Sequence, residues 1–116
     1  MKKILSLLFV FSFSGCVSDS ESDLTNPVPE KVSYNEDVRP IIENNCHFCH
    51  TSPPQNGAPM SLVTLLDVRN AIENRGLLDR ISRPQGADGM MPNGGTRLPQ
   101  SSIDIIVKWR DDGFAD

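Results

Sequence analysis

The chain has 116 residues, 38% of them hydrophobic and 22% charged, with 11 basic against 15 acidic side chains and a formal net charge of −4. This length leaves room for one small domain, and no internal repeat is visible. The acidic balance excludes a nucleic-acid binder, which needs a basic patch.

In chain order, Lys2 and Lys3 precede an apolar run over residues 4–13, and then Ser14, Gly15 and Cys16. A basic start, a short apolar stretch and small residues describe an export signal over 1–15. The run is too short to span a bilayer comfortably. Cys16 stands where bacterial lipoproteins carry their lipidated cysteine, and Phe13-Ser14-Gly15-Cys16 resembles a lipobox with phenylalanine in place of leucine. Residues 16–32 are rich in Ser, Asp, Glu and Pro without an apolar period, which predicts a flexible acidic tether. A globular part follows over 33–116. Removing Lys2 and Lys3 with the leader leaves 9 basic and 15 acidic residues, so the processed chain sits near −6.

Helices joined by loops are predicted for the globular part, with no strand alternation. Val38, Ile41 and Ile42 mark one face of a helix, and Pro40 places its regular start after a turn at 33–37. Residues 51–60 are a loop by composition. Thr64 can cap a helix with apolar positions Leu65, Val68 and Ile72, ended by Gly76. Leu77, Leu78 and Ile81 suggest a further short helix. In the last helix Ser101 and Asp104 have capping-box spacing, followed by Ile103, Ile106, Val107 and Trp109 up to Gly113. Trp109 is expected in the core, against Val38 and Ile42.

The chemistry lies in Cys46-His47-Phe48-Cys49-His50. Two cysteines three apart lie on one side of a helical turn, where both sulfurs can add to the vinyl groups of one porphyrin. His50 follows directly and can serve as proximal iron ligand. A structural zinc module is the weaker alternative. Four ligands within five residues strain a tetrahedron, and no cysteine or histidine exists beyond residue 50 to supply a second pair. A thioredoxin-like pair needs a βαβ pattern that is missing. The cysteine count then closes: Cys46 and Cys49 for haem, Cys16 for lipid.

For the sixth iron position, Met91 precedes Pro92 in a Gly- and Pro-rich loop, and the proline restricts the backbone before it. A thioether there favours ferrous iron. Met90 ranks second and Met60 third, since Met60 lies only ten residues from His50. Arg80, Arg83 and Arg97 are candidate partners for the haem propionates.

Together, residues 34–42, the Cys46–His50 motif, Met91-Pro92 with Gly94-Gly95, and residues 106–113 with Trp109 resemble a small monohaem c-type cytochrome. The likeness covers about residues 33–114 and is to class I cytochromes, especially domains on envelope lipoproteins. The resemblance implies an all-α, class I cytochrome c-like fold, with three to four short helices around one covalently bound haem c. Its first and last helices are expected to cross near the haem edge. It also implies covalent attachment at Cys46 and Cys49, with His50 proximal and Met91 distal. Asn93 departs from the second proline that many relatives carry there.

The function expected from these residues is one-electron transfer, not enzymatic turnover. With both axial positions filled by side chains, no site is left for substrate. The expected partners are a redox protein donor and acceptor, met transiently by a monomer. Lipid on Cys16 would hold the domain at the membrane of a bacterial cell envelope, facing the periplasm or the cell surface. Without methionine ligation the alternative is a five-coordinate haem sensor or a peroxidase-like domain.

Overall fold

The computed structural model describes residues 27–116, and every described regular element is helical. The fold is all-α. The leader, the lipid site at Cys16 and most of the tether lie outside the described residues.

Ser33 opens the first element. Its hydroxyl accepts from the Glu36 N–H at 3.3 Å, while its own N–H donates to Asp37 Oδ2 at 2.8 Å. This reciprocal cap satisfies backbone donors that a helix start leaves orphaned. One π-helical turn, Tyr34–Val38, leads straight into α1, Arg39–Cys46. Pro40 falls in the first turn of α1, where the N–H it lacks has no helical partner in any case. Tyr34, Val38 and Ile42 recur every four residues and are all buried, whereas Ile41 is half-buried.

Residues 47–64 form a loop. Thr64 then caps α2, Leu65–Asn74, through a full capping box: Thr64 Oγ1 accepts from Asp67 N–H and Asp67 Oδ2 accepts from Thr64 N–H. Val68 and Ala71 are buried on its inner face, with Leu65 and Ile72 half-buried beside them. Gly76, at φ +67°, takes the left-handed conformation that ends the helix. It thereby opens α3, Leu77–Ser82, which buries Leu77 and Ile81.

After the connection 83–99 comes α4, Gln100–Asp111, with Ile103, Ile106 and Trp109 buried. The capping box expected from Ser101 and Asp104 does not form. The helix starts two residues earlier, with Pro99 at the N-cap and no side-chain cap, so Ser101 already lies inside the first turn. Asp104 accepts instead from Gln100 Nε2 at 2.9 Å. Pro99 fixes φ near the helical value and stops the chain upstream from joining the helix, which sets the start without a cap.

The core gathers the inner faces of all four helices around Trp109, which is fully buried. Its indole N–H donates to the Ala115 carbonyl at 2.7 Å, and that carbonyl also accepts from Tyr34 N–H at 2.9 Å. Val38 and Ile42 share this core. The aromatic neighbours of the indole are Tyr34, at 5.4 Å between centroids, and Phe114, edge-on at 4.9 Å. The π turn ahead of α1 packs against α4, α3 packs against α4, and α2 against α3. The body of the domain also begins before residue 33. Val32 is fully buried and Val28 packs on the core, although composition places both in the tether. Two isolated valines among Pro27, Pro29 and charged neighbours carry no periodicity to announce them. No helix among the described residues is long and apolar enough to cross a membrane.

Candidate functional site

The motif sits at the end of α1, where the helix gives way to a turn. The N–H groups of Cys49 and His50 both donate back to the Cys46 carbonyl, at 3.2 and 2.9 Å. That turn keeps the two cysteines and His50 on one compact corner. Both thiols are free and half-buried, with no disulfide between them. Burial pushes the Cys46 thiol up to about 11, because the thiolate loses solvation there. The Cys49 sulfur accepts from Asn56 Nδ2 at 3.7 Å, and the same amide donates to the Phe48 carbonyl at 3.2 Å. Phe48 itself is 84% exposed, so the middle of the motif faces solvent while its ends turn inward.

His50 is buried, only 8% exposed. Its Nδ1 lies 2.8 Å from the Met60 carbonyl oxygen. A carbonyl can only accept, so Nδ1 must carry the proton, and in the neutral ring Nε2 is left with a free lone pair. His47 is tied in the opposite sense: its Nε2 lies 3.0 Å from the Leu62 carbonyl. The Leu62 N–H in turn donates to the His50 carbonyl at 2.9 Å. The short segment 60–62 therefore fixes both imidazoles through backbone atoms alone. The sequence offered Met60 only as a third-ranked thioether ligand. Its backbone oxygen, which any residue type would supply, is what touches the site.

The methionines of the second loop differ from each other. Met90 is buried, 5% exposed, and its N–H donates to Ala87. Met91 is half-buried, packs on the hydrophobic core, and donates its N–H to the Arg80 carbonyl at 3.1 Å. The half-buried apolar side chains on the core include Cys46, Met60, Met91 and Ile105, so the motif and the methionine loop both contribute to it. The Met91–Pro92 peptide bond is cis.

The three arginines considered for propionates have other partners. Arg83 pairs with Asp79 at 2.6 Å and donates to the Asp88 carbonyl at 2.6 Å. Arg97 spends Nε on the Arg83 carbonyl, and its terminal nitrogens on the Ser82 and Leu98 carbonyls and Gln100 Oε1. Arg80 makes one long bond, 3.4 Å, to the Gly89 carbonyl, which leaves it the least committed of the three.

Among the described residues no group of three or more His, Cys, Asp or Glu side chains converges as a metal set. A zinc centre built from the pentapeptide would require one. The residues present do suit a haem: two unpaired sulfurs at thioether spacing, one buried imidazole with its Nε2 lone pair free, and a methionine loop on the same core.

No protein-family model matches the chain, and no solved structure matches it. The chain is similar to hydrazine synthase subunit alpha of Kuenenia stuttgartiensis, with 29% identity over 101 residues. The matched region covers 84% of this chain but only 12% of that subunit, so the chain spans about an eighth of the relative's length.

Proposed function

We propose that this chain is a monohaem c-type cytochrome domain that carries single electrons between redox partners of a bacterial cell envelope. The observation that carries the reading is the 2.8 Å bond from His50 Nδ1–H to the Met60 carbonyl, in a buried ring directly after a pair of free cysteines. A proximal histidine needs its Nδ1 proton held and its Nε2 exposed to the metal, and a carbonyl partner also makes the imidazole a better donor.

In this reading Cys46 and Cys49 would hold the porphyrin by thioether bonds, and His50 and Met91, with Met90 the second choice, would ligate its iron. The haem supplies a one-electron couple. The chain's own residues fix the axial ring through segment 60–62, shield the site with the core packed behind α1, and leave the motif's Phe48 corner open to solvent. An iron ligated by both His50 and Met91 would suit a carrier and leave no open position for substrate, which favours electron transfer over catalysis. Cys16, lipidated, would hold it at the membrane, with the acidic segment as tether.

The optical spectrum of both redox states tests the reading. Low-spin haem with a weak thioether-to-iron charge-transfer band is expected. A high-spin spectrum that shifts on adding carbon monoxide would instead make the domain a sensor or peroxidase-like module, and the carrier reading would fail.

A further inference from the structure

The connection between α3 and α4, residues 83–99, contains neither helix nor strand. It exceeds the about 12–15 residues at which structureless connections become uncommon in compact domains. Met90 and Met91 lie at its middle, far along the chain from either anchoring helix. A free loop of this length would let both methionines wander, because nothing in its backbone ladder joins the two arms.

Side chains join them instead. The Gln85 carboxamide spans the loop, donating from Nε2 to the Gly95 carbonyl at 3.0 Å and accepting at Oε1 from Arg97 N–H at 2.7 Å. Both ends of one amide are therefore used as a backbone pair would be in a sheet. The Arg97 guanidinium then ties the returning arm to the end of α3, through the Arg83 carbonyl at 3.1 Å and the Ser82 carbonyl at 3.4 Å, and to the start of α4, through Gln100 Oε1 at 2.8 Å. Inside the clamp, Met91 N–H reaches the Arg80 carbonyl and Gly95 N–H the Pro92 carbonyl. Both bonds of the Gln85 side chain lie within the loop, whereas those of Arg97 also bind the loop to the carbonyls that end α3 and to the first residue of α4.

We propose that Gln85 and Arg97 are positioning residues that close the base of the methionine loop and so keep its thioether on the iron. The inference rests on the haem reading above. Opening the clamp frees the loop arms, and the methionine leaves the metal more often without any change in how the haem is attached.

The test uses the haem-loaded protein with Gln85→Ala, Gln85→Glu and Arg97→Lys. Gln85 is exposed, so its replacement leaves the core intact. In Gln85→Ala and Arg97→Lys, intact mass should still show attached haem and circular dichroism unchanged helix. The thioether charge-transfer band should weaken, and carbon monoxide should associate with the ferrous form about tenfold faster, the effect of losing one or two net hydrogen bonds from the closed state. Amide exchange at Met90 and Met91 should accelerate in parallel. Gln85→Glu still accepts from Arg97 N–H but cannot donate to Gly95, and should recover part of the band. Loaded variants with wild-type band, carbon monoxide kinetics and exchange overturn the clamp alone. Wild-type protein without attached haem, or with haem lacking the thioether band, overturns the reading beneath it and the clamp with it.

Discussion

Replacing Trp109 by phenylalanine isolates the contact that joins α4 to the start of the domain. The indole is fully buried, and its N–H is donated to Ala115 O at 2.7 Å. Phenylalanine removes that bond, but Ala115 O keeps the Tyr34 N–H, so no acceptor is orphaned and the loss is about 1 kcal/mol. The smaller ring leaves a void of roughly 40 Å³, another ~1 kcal/mol at about 24 cal/mol per Å³. The total, about 2 kcal/mol, lowers the melting temperature of a domain this size by roughly 8–16 °C. Denaturant titration of the haem-loaded protein should show a lower midpoint at unchanged slope. Tyr34→Phe is the control. It keeps the ring beside Trp109 and removes only a hydroxyl, so it should change stability by less than about 0.5 kcal/mol. If Trp109→Phe costs no more than Tyr34→Phe, the indole N–H does not hold the C-terminal segment, and the packing described for α4 is wrong.

Four further outcomes follow from the site and its frame. In the haem-free chain at pH 8, Cys46 should alkylate about a hundredfold more slowly when folded than when unfolded in urea, because burial raises its thiol from 9.0 to about 11. Site-resolved mass spectrometry measures this, and equal rates would mean that the fold does not form around Cys46 without haem. The same shift means the unfolded chain loses the Cys46 proton first. Haem-free stability should therefore fall as pH rises from about 9 to about 11, and haem attachment should abolish that loss. In α2, Thr64→Ala should cost about 1 kcal/mol in denaturant titration, the usual worth of an N-cap. Burial raises the Asp67 carboxyl, but the bonds it accepts from Thr64, Val63 and Ser61 outweigh this and hold it below its ordinary value. Its contribution is present above the unfolded value and lost as pH falls through the folded one, so Asp67→Asn should flatten the acid limb of the stability curve.

Features with a local cause were legible in the sequence. Pro40, Thr64 and Gly76 each act on the backbone within a turn, and the helices that they bound lie where their chemistry puts them. The apolar face of Val38 and Ile42 and the burial of Trp109 follow from helical period alone. Features made by distant backbone were not legible. The carbonyl of Met60 orients His50, and a carbonyl has no signature in the residue name. Ser101 and Asp104 show the right spacing for a cap, yet Pro99 starts the helix two residues too early for them. The tie from Gln85 to Arg97 joins residues twelve apart, a separation that no periodicity marks.

The central claim is that a porphyrin is joined to this polypeptide at Cys46 and Cys49, with the His50 ring bound to its iron. Intact mass of protein exported in a host that ligates c-type haem, followed by peptide mapping, tests it most directly. The account predicts one haem per chain, retained after denaturation and located on the peptide holding both cysteines. A bare polypeptide mass with two alkylatable thiols in that peptide would contradict it.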